Sequence, residues 1–173
     1  MKTIVAGMSD CKTSNDPDAT LVTYALGSCI AVAIHDPASK TGGLLHYMLP
    51  ESSLDVQKAK LNPHMFADTG IHSLLDALRE QGVDPRRCVV RVAGGAQVLD
   101  SEGVFQIGKR NYLAAKKILW KEGLMIAAEA VGGEVSRTVR LELGSGRFLL
   151  REGGAKETEL ISARGVALCR SVS

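Results

Sequence analysis

The sequence predicts an α+β fold: mixed, mostly antiparallel β-sheet layers with two main flanking helices in a single domain. Three observations lead there. The chain has 173 residues, 45% of them hydrophobic and 23% charged with both signs mixed, which suits one domain with a real core. Apolar and β-branched runs of strand length outnumber helical periods by about seven to two. Several of those runs are joined by turn clusters short enough for hairpins, which favours antiparallel pairing over a doubly wound parallel sheet.

Taken in order, Thr3 to Met8 reads as a first strand, and polar, turn-rich Asp10 to Asp18 as a loop. Leu21 to Ile34 is a long apolar stretch broken once, at Gly27-Ser28. A turn region from Asp36-Pro37 to Gly42 leads into apolar Leu44 to Leu49, so the two stretches pair as a hairpin. Asn62 followed by Pro63 reads as a helix cap and first turn. Ile71, Leu74, Leu75 and Leu78 keep helical spacing, and Gly82 ends the helix. Cys88 to Ala93 is a strand closed by Gly94-Gly95. A second helix starts near Asn111, with Tyr112, Ala115, Ile118 and Leu119 on one face and Gly123 at its end. Leu124 to Val131 and Ser136 to Leu143 read as strands, and Gly144-Ser145-Gly146 turns into a last strand, Arg147 to Arg151. The expected domain covers residues 1–154, and residues 155–173 form an extension of unassigned role.

Composition excludes several classes. The net charge is +2, basic residues are scattered, and aromatics are 4%, so neither a nucleic-acid groove nor a base-stacking platform is expected. The first residues are too short for a secretory h-region and no run is long enough for a membrane span, so the expected setting is cytoplasmic, without direct membrane insertion. Cys11, Cys29, Cys88 and Cys169 form no CxxC pair and no zinc spacing, and they are expected to be free thiols. His35, His64 and His72 read as surface or packing residues. No metal and no cofactor is expected.

The chemistry centres on Cys29. It directly follows the Gly27-Ser28 break, and a glycine inside a strand marks a bulge or a place where a ligand approaches the backbone. With a turn near Ala38 or Ser39, opposed residue numbers in the hairpin sum to about 77, which sets Cys29 against Met48 and places His46 two residues along on the same face. Diagonal Cβ separations in such pairs are about 7–8 Å, so a thiol–imidazole pair is permitted, whereas a one-residue slip would separate the two groups. A histidine that takes the thiol proton makes a nucleophile and can then protonate a leaving amine, which suits amide hydrolysis. Thr23, six residues before Cys29, is the candidate to orient the imidazole. Backbone N–H groups near Gly27 and Ser28 are candidates for holding an oxyanion. The plainer alternative is that Cys29 is a core filler, His46 a satisfied core histidine and Thr23 an ordinary strand residue.

Thr23-Tyr24-Ala25-Leu26-Gly27-Ser28-Cys29, then Asp36-Pro37 and His46-Tyr47-Met48-Leu49-Pro50, resembles the signature of the CheD chemoreceptor glutamine deamidases. Phe66-Ala67-Asp68-Thr69, Ala93-Gly94-Gly95-Ala96, Ile107-Gly108-Lys109-Arg110-Asn111, Gly132-Gly133 with Ser136-Arg137, and the closing Gly144 to Leu150 resemble further motifs of that family in the same order. The resemblance covers roughly Ile4 to Arg151. It implies β-sheet layers with flanking helices, and a cysteine hydrolase that converts selected glutamines on chemoreceptor cytoplasmic helices to glutamate. It implies Cys29 as nucleophile, His46 as base and Thr23 as orienting group. Some members of that family also bind a CheC-type phosphatase, so such a phosphatase is a candidate partner, and a non-catalytic adaptor that binds and regulates it is the alternative function. One motif departs: Gln97-Val98-Leu99 stands where family members often carry a bulky pair thought to face the receptor.

Overall fold

The computed structural model describes residues 1–98 and 106–161, and all structural statements concern those residues. They form ten strands and three α-helices: β1 (Lys2–Val5), β2 (Asp10–Ser14), β3 (Ala19–Leu26), β4 (Ile30–Asp36), β5 (Thr41–Tyr47), α1 (Val56–Leu61), α2 (Ala67–Glu80), β6 (Val89–Gly94), α3 (Ile107–Lys121), β7 (Ile126–Val131), β8 (Arg137–Glu142), β9 (Phe148–Glu152) and β10 (Thr158–Glu159). One sheet has the order β1-β3-β8-β9-β10 and the other β2-β5-β4-β6-β7. Only the β1–β3 and β6–β7 pairs are parallel, so the α+β expectation of mixed, mostly antiparallel layers holds.

Alternation along the strands explains the layering. Ile30, Val32 and Ile34 of β4, with Leu45 and Tyr47 of β5, face a core shared with Ile71, Leu74, Leu75 and Leu78 of α2 and Ala115 and Leu119 of α3. The opposite parity, Ala31 and Ala33 with Leu44, faces Leu21 and Leu26 of β3, Val139 and Leu141 of β8 and Phe148 of β9. The order is therefore sheet, sheet, helices. β4 and β5 are buried on both faces along their whole length, which is why both read as continuous apolar runs.

The hairpin register follows the sequence expectation: Ile30 pairs with Tyr47 and Ala31 with His46. Asp36 fixes the turn, its carboxylate accepting from the Ala38 N–H and the Ser39 hydroxyl. The stretch Leu21 to Ile34, however, is not one strand. β3 and β4 lie in different sheets, and the chain crosses between them at 27–29. A bulge in the β3–β8 register between Thr23 and Leu26, with Ala25 at φ 56°, starts that departure.

Other departures have local causes. Polar residues 10–14 form β2 because β5 offers it an antiparallel ladder, which outweighs their weak strand propensity. The Asn62 side chain caps only a 3₁₀ turn, Pro63–Met65; extended Phe66 ends it, and α2 begins at Ala67. The short helix α1 was not expected from the sequence; Asp55 caps it by accepting from the Lys58 N–H. α3 begins at Ile107, a full turn before Asn111. β10 pairs with β9 beyond residue 154, and Glu157 and Glu159 there meet Arg140 and Arg147. Leu99, Cys169 and the rest of 162–173 lie outside the described residues.

Candidate active site

Cys29 sits on a strap that leaves one sheet and enters the other. Its residues 27–29 are half-buried, and Cys29 packs against the core between the sheets. The strap is tied from two sides. Gly95 N–H donates to the Cys29 carbonyl at 2.8 Å, and Ala96 N–H donates to the Gly27 carbonyl at 2.8 Å. On the other side the Asn111 side-chain amide donates to the Ser28 carbonyl at 3.0 Å and to the Met48 carbonyl at 2.7 Å. One fully buried asparagine thus joins the strap that carries the thiol to the end of the strand that carries His46. The Tyr47 hydroxyl completes the clamp by donating to the Asn111 backbone carbonyl at 2.6 Å.

The close approach depends on glycine. Gly94 has φ 114°, and a Cβ there would overlap the Cys29 carbonyl oxygen. At Gly108, in the first turn of α3, a Cβ would overlap the Gly95 carbonyl oxygen. Arg137, almost fully buried, holds this loop from below: it donates to the carbonyls of Gly132 and Gly94 and pairs with Glu152 at 2.8 Å.

His46 is 2% exposed and lies on the face of β5 that points between the sheets. Its Nδ1 is 2.8 Å from Thr23 Oγ1, a fully buried hydroxyl on β3 of the facing sheet. Counting along one strand does not relate Thr23 to Cys29, because the bulge after Thr23 and the strap intervene. Because the strap switches sheets, Thr23 reaches His46 from across the sandwich instead of along its own strand. His46 Nε2 is buried and has no hydrogen-bond partner among the described residues.

The electrostatics differ from a preformed thiolate–imidazolium pair. Burial lowers the His46 pKa to about 4. Burial also pushes the Cys29 thiol up, opposed in part by a hydrogen bond from its own backbone N–H. Both shifts favour uncharged forms, so the thiol and the imidazole are each neutral at rest. In the tautomer whose Nδ1–H donates to Thr23, Nε2 carries the lone pair and is the basic nitrogen.

The remaining candidates separate from this site. Cys11 is on β2 and Cys88 precedes β6, and burial raises both thiols to about 12. His35 Nε2 meets the Leu143 carbonyl, His64 meets Ser73, and His72 bridges Asp68 and Glu122 on the surface. Among the described residues no cluster of three His, Cys, Asp or Glu side chains is placed to hold a metal ion, and no helix is long and apolar enough to cross a membrane. Sequence reasoning about single residues missed Asn111, Gly94 and Arg137. The available signal was indirect: each lies in one of the short motifs that resemble the family, and the fold gathers those motifs around the strap.

Comparison with known proteins agrees with this convergence. The sequence model of the family described as "CheD chemotactic sensory transduction" matches residues 48–152. A "Probable chemoreceptor glutamine deamidase CheD" of Solibacter usitatus is 53% identical over 161 residues, covering 93% of this chain and 95% of that protein. A similarly named protein of Syntrophus aciditrophicus is 49% identical over 92% of this chain and 100% of its own length. The "Chemoreceptor glutamine deamidase CheD" of Thermotoga maritima is 36% identical over 90% of this chain and 96% of its own. The family match begins after Cys29 and His46, but an alignment of 161 residues in a chain of 173 spans both, and Thr23 as well. On these matches the chain belongs to the CheD family.

Proposed function

We propose that this chain is a protein-glutamine deamidase acting on the cytoplasmic helices of chemotaxis receptors, with Cys29 as nucleophile, His46 as general base and acid, and Thr23 as the group that orients the imidazole. The observation that carries the reading is the Thr23–His46 hydrogen bond, which leaves a buried, unpartnered imidazole nitrogen on the inter-sheet side where Cys29 packs.

In this mechanism His46 Nε2 takes the Cys29 proton as the sulfur bonds to the carbon of the glutamine carboxamide. Proton transfer and attack are coupled, because burial disfavours a free thiolate before substrate arrives. The oxyanion is held by backbone N–H groups of the strap near Gly27, Ser28 and Cys29. The imidazolium then gives its proton to the departing nitrogen, the C–N bond breaks, and ammonia leaves a thioester. His46 next takes a proton from water, hydroxide adds to the thioester carbon, and the C–S bond breaks to give glutamate and the regenerated thiol. The neutral Thr23 holds the ring without fixing a positive charge on it, which suits a base that must be uncharged at rest.

The product adds one negative charge to a helix surface, where like charges repel and bias the packing of a helical bundle. The proposed reading includes a cytoplasmic setting and, because some members of the family bind one, a CheC-type phosphatase as a proposed second partner. The test is incubation with a receptor cytoplasmic fragment, followed by peptide mass analysis. Wild type should give +1 Da Gln-to-Glu changes with ammonia release, and Cys29→Ala should give neither. Conversion by the purified Cys29→Ala protein would reject the assigned nucleophile.

A further inference from the structure

We infer that the groove between α3 and the outer edge of β7 is a docking surface for an acidic, amphipathic helix of the receptor substrate, away from the reacting atoms; the inference rests on the deamidase reading above. β7 ends its sheet, paired only with β6 among the described residues. Beside it lies a groove of about 690 Å³ lined by Leu113, Lys116, Lys117, Trp120, Met125 and Glu129, among others. Leu113 is 50% exposed, Trp120 76% and Met125 59%. Leu113 and Trp120 are seven residues apart and so lie on one stripe of α3. Tryptophan, leucine and methionine side chains exposed in one concave surface are the kind of anchors that helix-in-groove recognition uses.

Charge names the occupant. The chain as a whole has 21 basic and 19 acidic residues. α3 departs sharply from that balance: it carries Lys109, Arg110, Lys116, Lys117 and Lys121 and no acidic residue. In the groove, Glu129 is already engaged by the Tyr112 hydroxyl. Such a surface complements a helix with an apolar stripe flanked by carboxylates.

Both walls lead to Cys29. α3 begins where Gly108 packs against Gly95, and β7 ends where Val131 pairs with Gly94; Gly94 and Gly95 are the residues against the strap. Trp120 is twelve residues along α3 from Gly108, about 18 Å at helical rise. A substrate helix seated in the groove would be gripped about three turns from the glutamine presented to the thiol. Such a grip would select glutamines by their distance from an acidic, apolar stripe. A basic helix with exposed tryptophan and leucine also suits an anionic membrane surface. The concave shape and the direction of the groove favour the protein helix, and the experiment separates the two.

Trp120 is the chain's single tryptophan, so its fluorescence reports on the groove directly. The probe is a tryptophan-free chemoreceptor cytoplasmic fragment, titrated into the Cys29→Ala protein so that no turnover intervenes. The expected result is a saturable blue shift that weakens with added salt, with affinity falling about tenfold or more in Lys116→Glu/Lys117→Glu. With Cys29 present, the same charge reversal should raise KM for the fragment and leave kcat unchanged. The inference is overturned if the fragment does not bind, if it binds without changing Trp120 emission, or if emission responds to phosphatidylglycerol vesicles and not to the fragment. A Trp120 response from a wild-type protein that converts no glutamine would reject the deamidase reading and leave the groove standing. Normal KM in the charge-reversed protein would reject the groove and leave the deamidase reading standing.

Discussion

Replacing Thr23 by valine removes one oxygen and keeps the shape, so it isolates the hydrogen bond to His46. Thr23 is fully buried and its hydroxyl is 2.8 Å from Nδ1. Nε2 already has no partner among the described residues, so the variant would leave both ring nitrogens of a buried imidazole unsatisfied there. A buried polar group stripped of its partner costs about 1–3 kcal/mol, and for a chain of this size that lowers Tm by roughly 2–10 °C. Catalysis should lose a comparable amount, because a ring free to rotate spends less time with its basic nitrogen at the thiol; this corresponds to about a 10–100-fold fall in kcat. Thr23→Ser restores the hydroxyl with a smaller side chain and should recover most of the rate. Ammonia release from a receptor fragment, measured beside a thermal melt, reads both quantities. If Thr23→Val melts lower yet keeps kcat within about twofold, the hydroxyl contributes packing and polar satisfaction only, and its orienting role is wrong.

Two further outcomes follow from the same geometry. Asn111→Ala removes donors from the Ser28 and Met48 carbonyls; it should cost about 2–4 kcal/mol in chemical denaturation, and Cys29 alkylation should speed up as the strap loosens. Unchanged alkylation in a folded variant would contradict the clamp. His46, held neutral with a pKa near 4 against an ordinary value of 6.5, binds a proton in the unfolded chain before it does so in the folded one. Its contribution is therefore complete above about pH 6.5 and is lost as pH falls toward 4, an effect of about 3 kcal/mol that His46→Gln should flatten in a stability-versus-pH series.

The hairpin that carries His46 was legible because its register depends on local facts: a short turn anchored by Asp36, and two strands apolar enough to be buried on both faces. The pairing of Ala31 with His46 follows from counting. The position of Thr23 was not legible by counting. Its partner lies in another sheet, and the bulge at Ala25 together with the strap at 27–29 breaks the parity that counting assumes. Asn111 was hidden for a different reason. An asparagine in a basic helix reads as a surface or cap residue, and the approach of the strap and the end of β5 to its amide explains its complete burial. The state of the thiol was equally out of reach: a Cys–His pair in sequence suggests an ion pair, whereas burial of each group favours its uncharged form. β2 shows the general limit, since its polar residues become a strand only because β5 is there to pair with them.

The most direct measurement is the covalent intermediate itself. Wild-type protein mixed with a receptor cytoplasmic fragment, quenched in acid within the first turnover and digested, should yield a cross-linked peptide joining Cys29 to a receptor glutamine position with loss of ammonia. No such adduct should form with Cys29→Ala. Ammonia release with no adduct at any quench time, or an adduct at Cys11, Cys88 or Cys169 instead, would contradict the account.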